Sequence, residues 1–438
     1  MTLEHTHVYE QPADEGSAAA WVVNYVTDPQ RYGAKMDMRG VINAAVDSAA
    51  LTTVTSITAA FTTADTGKTY ALASAAGAIM VGTISYSTAT SAIMSVAASA
   101  AMTNGRLIFG TDDAAAWQAA LNASTPGQTV DVANPTYRSL IGSNLTVPVG
   151  VRLGRLGRGP FDPQTNPTMN DWGPTLGIVE DSDPFFVLNN GSGFGDAMVY
   201  SINQVMSSYG TPIARGPIIS TNAYGTAGCF IGSPYFANAY DAIRLWGGRH
   251  HVLRPQIGAL RHAVLLDHSE DIIDIERITC HPFWRICEGQ AYTPTASTLD
   301  QYAQDNGWGL RVQRADAFKV GSIFVLGLYG ALMSIDSADE QGSECGYGMV
   351  DLVDADTVVV GIQAYETQSP GIIINAALLG ANGTGVGTAG SAGIATMTGG
   401  SEAPRVVLKS WSHRGSWSTG ASSQGAGTTL IVPGTNPG

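Results

Sequence analysis

The chain has 438 residues, of which only 13% are charged, and 36 acidic side chains against 22 basic ones give a formal net charge of −14. An acidic chain without a Lys/Arg cluster argues against nucleic acid or an anionic membrane as partner. The longest weakly apolar tract, Ala89–Ala101, is too short and too broken by Ser and Thr to insert in a bilayer.

Fifty-two glycines with abundant Ala, Ser and Thr suit short strands joined by tight turns. The four cysteines, Cys229, Cys280, Cys287 and Cys345, form no C-x-x-C pair, and no His stands at zinc spacing from them. They read as buried free thiols, and no metal or other cofactor is expected.

In chain order, Met1–Gln30 has few regular apolar positions and reads as an arm (1–30) that orders against a partner or a neighbouring subunit. Its polar start, MTLEHTHVYEQPADEG, lacks the apolar segment of a secretion signal, so synthesis in the cytoplasm is expected. Residues 31–37 begin the main body. Met38–Phe109 alternates Thr, Val, Ile and Ala between Asp-Thr-Gly, Ala-Ala-Gly and Ser-Thr turns, which predicts a small antiparallel β module, a barrel or sandwich of hairpins (38–109). Gly110-Thr111-Asp112-Asp113 then opens a helix with Thr111 as N-cap and Ala116, Trp117, Ala120 and Leu121 on one face. Such a helix suits the end of a stack of β coils, which would otherwise expose its core.

Strands are predicted at Thr129–Val132, Asn144–Val147 and Val151–Leu153, a loop at Gly154–Gly173, coils at Ile178–Leu188 and Ala197–Val205, and an irregular excursion at Ser207–Tyr224. The clearest pattern follows, from Asp241 to Cys287. Short apolar runs recur there, with Ala242 and Ala263 standing 21 residues apart and Phe283–Cys287 opening a third cycle. Runs this short, rich in Ile, Val and Leu, read as buried strands, and a period near 20 residues marks a solenoid. Further runs fall at Ala242–Leu245, Ala263–Leu266, Trp284–Cys287, Leu310–Gln313, Ala331–Ile335, Met349–Val353 and Ile372–Ile374, with a Tyr/Gln/Asp-rich insertion at Gln290–Trp308. The body therefore extends over 110–378. A Gly/Ala-rich segment (379–438) follows, with one strand at Arg405–Trp411 and an edge strand in the tail that pairs here or exchanges with another subunit.

The words YGAK-x-D and GTDDAAAWQAALNA, followed by GQTVDVANPTYR and LTVPVGVRL, resemble the N-terminal segment of the pectate-lyase-like right-handed parallel β-helix proteins, a family that includes many bacteriophage tail spikes. The similarity continues through PTLGIVEDSDPFFVLNN, GTPIARGPIIS, NAYDAIRLWGGRHHV, HAVLLDHSEDIIDIERI and HPFW, over roughly residues 31–360. Here 38–109 interrupts a segment that is usually continuous. The resemblance implies an all-β fold, a right-handed parallel β-helix with a capping helix. It also implies a homotrimer in a virion tail, joined to a tail or baseplate protein through the arm, whose partner at the host surface is a bacterial polysaccharide. Whether the protein cleaves that polysaccharide, as glycosidase or lyase, or only adheres to it is left open by the residues.

In a β-helix, equivalent positions of successive coils stack about 4.8 Å apart. The residues that end the first strand of each coil are Trp246, Asp267, Glu288, Arg314, Asp336 and Asp354, the first three at a constant interval of 21 residues. Asp267 and Glu288 would then be neighbours at a separation suited to the two carboxyls of a retaining glycosidase, about 5–5.5 Å. Their repulsion would raise one pKa and suit that group to proton donation. Trp246 would stack on a sugar ring, Arg314 would hold an acidic sugar or a developing negative charge, and Asp336 and Asp354 would extend the binding column. This column depends on a register of one residue, because inward-facing Trp284 and Ile286 would turn Glu288 inward as well. Polar turn residues that keep the coil edges soluble are the alternative. Asp271, Asp316 and Asp356 form a second column on the same terms.

Overall fold

The computed structural model describes residues 26–74, 77–132, 137–154, 174–205, 211–223, 225–269, 271–285, 298–335, 346–365, 367, 370–381, 392–396, 405–414 and 430–433. The protein is mostly β, with one large parallel sheet and one small closed antiparallel barrel. Most of the predicted arm, the loop at Gly154–Gly173, most of Gly380–Gly400, and Glu288, Asp336, Cys287 and Cys345 lie outside the described residues.

The parallel strands pair in three ladders. The first runs through Arg138–Ile141, Thr175–Ile178 and Met198–Ser201 into the beginnings of Tyr235–Leu245 and Gln256–Leu266. The second runs through Leu145–Val147, Phe186–Leu188 and Pro217–Thr221 into the later halves of the same two long strands, then on to Trp308–Val312, Gly330–Ser334, Val360–Ala364 and Ala392–Thr396. The third joins Val26–Thr27, Thr129–Val130, Arg152–Leu153, Gly193–Phe194, Phe230–Ile231 and His251–Val252 to the beginning of Ile273–Cys280. Residues from all three ladders, among them Phe236, Ile243, Val252 and Ile275, meet in one continuous apolar core. Removing these Ile, Val and Phe side chains from water is the main term holding the sheet together, about 1.5–3 kcal/mol for each fully buried one.

The strand Tyr235–Leu245 serves two ladders because it bends. Tyr235 to Ala237 pair in the first ladder and Asp241 to Leu245 in the second. Between them Asn238 takes a left-handed conformation, φ 56°, which Asn adopts more readily than most residues. The 21-residue repeat is realised here, with Ile243 against Val264 and Leu245 against Leu266.

The third repeat departs from the prediction. Trp284–Cys287 is not a strand where it is described. Pro282–Trp284 forms a 3₁₀ turn, and the next strand of the second ladder is Trp308–Val312. Pro282 has no N–H to give a ladder, and Arg285 is fully buried, donating from Nε to Asp300 at 2.7 Å and from Nη2 to the Gly327 carbonyl at 3.0 Å. Asp300 belongs to a helix, Thr298–Asn306, inside the predicted loop.

Two smaller features complete the frame. The helix at Ala114–Ala123 buries Ala114, Trp117, Ala120 and Leu121, but it begins after Asp113 rather than after Thr111. Thr111 bonds Asp37 instead, and the Asp113 carboxylate accepts from Lys35 N, Met36 N and Ser139 Oγ at 2.7–2.9 Å. The two sequence words parted by 38–109 are thereby rejoined in space. The six barrel strands span Arg39–Gly110 around Tyr70, Leu72, Ile84 and Phe109. Met38, Ala71 and Ile108 pack on Met198, Tyr200 and Tyr235 of the first ladder. Fully buried Arg106 ties the barrel down, donating to Tyr200 Oη and to the Ile202 and Gln204 carbonyls, each at 2.8 Å. The tail strand Leu430–Pro433 pairs antiparallel with Arg405–Leu408 of the same chain.

Candidate active site

The predicted column separates in three dimensions. Leu266 pairs with Val312, and Gln313 N donates to the Leu266 carbonyl at 2.9 Å. The residue in line with Asp267 on the next strand is therefore Gln313, with Arg314 one position further on, while Glu288 lies outside the described residues. The physical reason is the long excursion between Leu266 and Trp308, which breaks the 21-residue interval. The first ladder continues from Gln256 through Thr279 to the strands Phe318–Leu326, Gly348–Val358 and Ile372–Ala381, and Asp354 stands there, paired with Phe324 and Leu378, away from the ladder of Trp246. The second column also dissolves, because Asp271 forms an exposed ion pair with Arg249 at 3.0 Å while Asp356 pairs across from Leu326.

Trp246 and Asp267 do meet. Trp246 Nε1 donates to Asp267 Oδ2 at 3.3 Å, and His268 Nδ1 lies 2.9 Å from Oδ1. The Trp246 backbone is fixed as well, its N–H bonded to Thr221 Oγ1 at 2.6 Å and its carbonyl accepting from His250 Nε2 at 2.7 Å. His250 Nδ1 accepts from Cys229 N, so this imidazole is neutral, in keeping with the downward push of burial on its pKa. The Arg244 guanidinium lies 4.3 Å from the Trp246 ring. Buried Asp267 thus orients a half-buried indole, with no second carboxyl beside it in its ladder.

Near the other end of the second-ladder halves of these strands, and shared with the first ladder, lies a constellation that the periodicity does not reveal. Its first carboxyl, Glu180, follows the strand Thr175–Ile178 and is buried. Asn203, two residues past Met198–Ser201, clamps it: Glu180 N donates to Asn203 Oδ1 at 3.0 Å, and Asn203 Nδ2 donates to the Glu180 carbonyl at 2.7 Å. Ser201 Oγ donates to Glu180 Oε2, while buried Oε1 has no hydrogen-bond partner. The Arg215 guanidinium donates through Nη2 to the Asn203 carbonyl at 3.0 Å and leaves Nε without a partner.

The second carboxyl, Asp241, sits just past the bend of Tyr235–Leu245. Arg261 grips both of its oxygens, Nε on Oδ1 at 2.9 Å and Nη2 on Oδ2. His262 Nδ1 lies 3.0 Å from Oδ1, and His262 Nε2 is 2.9 Å from Arg311 Nη1. An arginine can only donate, so Nε2 accepts and the proton of this neutral imidazole is on Nδ1, facing Asp241. The Arg261 guanidinium covers the Tyr240 ring at 4.8 Å, and the Tyr240 hydroxyl meets that of Tyr302, on the helix Thr298–Asn306, at 3.2 Å.

The two carboxyls are held in opposite states. Burial drives Glu180 up to about 8; Ser201 and Arg215 oppose the shift, and Asp241 reinforces it. Glu180 is therefore an acid at neutral pH, with unpartnered Oε1 as the natural seat of the proton. Burial also works upward on Asp241, but Arg261 and His262 outweigh it and hold the group at about 2. Environments that push two neighbouring carboxyls apart in this way define an acid and a fixed anion. Among the described residues no group of three or more His, Cys, Asp or Glu side chains is arranged to hold a metal ion.

The structure thus defines a mostly β protein in which Glu180, after a strand of the first ladder, lies near Asp241 of the second, with the Trp246 indole at the far end of the strand that carries Asp241. No protein-family model matches this sequence, and none of the curated proteins does.

Proposed function

We propose that the three ladders are the faces of a right-handed parallel β-helix of the tail-spike type, and that the protein binds a bacterial surface polysaccharide and hydrolyses it. The observation that supports hydrolysis is the proximity of Glu180 and Asp241, close enough for the charge of one to act on the other, with one neutral and one ionised. Glu180 donates its proton to the glycosidic oxygen as the bond to the anomeric carbon breaks. Asp241, its oxygens fixed by Arg261, stabilises the positive charge that develops on the sugar. Glu180, now a carboxylate, takes a proton from the attacking water and is restored, so that one water is added across one bond. Trp246, oriented by Asp267, offers a ring face for a sugar. The sequence resemblance supports the biological setting: a homotrimer in a virion tail, with the arm as its attachment.

The test is to incubate the protein and its Glu180→Gln variant with bacterial capsular polysaccharides or lipopolysaccharides and measure new reducing ends. Cleavage by the wild type, with cleavage lost and binding kept in the variant, is expected. Binding without new reducing ends in the wild type would instead make this an adhesion protein, and unsaturated products would make it a lyase.

A further inference from the structure

Acidic side chains outnumber basic ones across the chain by 14, yet arginines converge on this one surface. Arg215 interacts with Glu180, and Arg261 and Arg311 both act on His262 beside Asp241. Arg244 and Arg311 occupy the same position of the second ladder, separated by Leu265 alone, which places their strands about 10 Å apart. Asp181 and Asp241 are carboxylates that act on Glu180, which is itself neutral. All four guanidinium groups are half-buried or part-exposed, and Arg215 Nε, sealed from water, has no acceptor.

We infer that the polysaccharide taken by this face is anionic, its sugars bearing carboxylates met by Arg244 and Arg311 on either side of Leu265. This rests on the polysaccharide reading above. The planar fork of arginine matches a carboxylate with two parallel hydrogen bonds, a geometry that a neutral hydroxyl does not reward equally. The spacing of the two arginines suits two charges along one extended chain rather than a single isolated group. Arg244, stacked on Trp246 and bonded through Nε to Ser220 Oγ at 3.0 Å, couples charge recognition to the aromatic platform.

The test uses the full chain, immobilised, and a panel of bacterial capsular polysaccharides, each in its native form and after chemical reduction of its carboxylates to alcohols. The expected result is binding of at least one native acidic polysaccharide, with its reduced form bound about tenfold more weakly or worse. The Arg244→Gln variant should lose about tenfold more affinity for the native form than for the reduced form, so that the gap between the two forms narrows. Equal binding of the native and reduced forms, or retention of neutral polysaccharides alone, would overturn the inference while leaving the polysaccharide reading intact. Retention of no polysaccharide in either form would remove both.

Discussion

The strand Tyr235–Leu245 has buried carboxyls near both ends of its second-ladder half, Asp267 at one and Asp241 with Glu180 of the first ladder at the other, and they are built differently. At one end, Asp267 accepts from the Trp246 indole and lies against His268, and both of its oxygens are engaged in holding rings. At the other end, Glu180 has one oxygen tied to Ser201 and one with no partner, while Asp241 is locked as an anion by Arg261. The contrast teaches that burial alone does not make a carboxyl chemically poised. What matters is whether a proton-bearing oxygen is left for a substrate and whether a second charge is fixed nearby.

The largest expected effect separates the two ends directly. Glu180→Gln keeps the size of the side chain and an acceptor for Ser201, but it removes the transferable proton. The rate of polysaccharide cleavage should fall by about 10²–10⁴-fold with the fold intact. Circular dichroism and reducing-end release measured on the same samples would check this. A variant that cleaves at the wild-type rate would remove Glu180 from the chemistry.

Next in size is a pH effect on stability. Glu180 has a reference pKa of 4.5 and titrates near 8 when folded, so between those values the folded chain holds a proton that the unfolded chain has lost. Stability from this group is complete below pH 4.5 and is lost as pH rises through 8, a penalty on the order of 5 kcal/mol. Asp241 has the opposite sign. Its pKa falls from 3.8 to about 2, so its contribution is present above 3.8 and lost as pH falls through 2. Denaturant melts from pH 5 to 9 should show wild-type stability declining where that of Glu180→Gln stays level. Parallel curves would mean that Glu180 ionises normally.

Breaking the fixed anion should cost somewhat less. Asp241→Asn leaves Arg261 without its bidentate partner and takes from His262 the carboxylate that its Nδ1 faces. Because the Arg261 side chain is 41% exposed, water recovers part of the loss. A destabilisation of roughly 2–4 kcal/mol is expected by urea titration, with loss of cleavage. Unchanged stability would show that the ion pair contributes nothing net.

How much of this was legible in the sequence depended on insertions. The 21-residue interval from Ile243 to Val264 was readable because nothing intervenes, and it placed Trp246 beside Asp267 correctly. The same arithmetic failed at the next strand of that ladder, Trp308–Val312, where Leu310 pairs with Val264 at an interval of 46 residues. The barrel was readable because alternating Thr, Val and Ala between turns has a period of two wherever it occurs. Glu180 and Asp241 were not readable as a pair. Ile178 pairs with Ser201 and Tyr200 with Ala237, intervals of 23 and 37 residues, so no single period aligns them. The one local signal was Glu180 directly after an apolar run, in GIVEDSD, which reads equally as a solvated turn. Thr111 misled for a related reason: a good N-cap residue was recruited by Asp37, 74 positions away.

The smallest expected effect sharpens the comparison most, because it can reverse it. Asp267→Asn offers one carbonyl oxygen to two donors, Trp246 Nε1 and His268 Nδ1, so one of them loses its acceptor. The indole should loosen without leaving the surface, since Arg244 still covers it and the Trp246 backbone remains tied to Thr221 and His250. Losing one hydrogen bond to a charged acceptor is worth about 1.5–3 kcal/mol at most, and at this half-buried site about 1 kcal/mol is expected. That amounts to KM raised roughly fivefold with kcat unchanged, because Trp246 binds sugar and takes no part in bond breaking. Steady-state kinetics on a single polysaccharide would decide. A loss in kcat as deep as that of Glu180→Gln would move the chemistry to the Asp267 end and leave Glu180 as a buried structural acid.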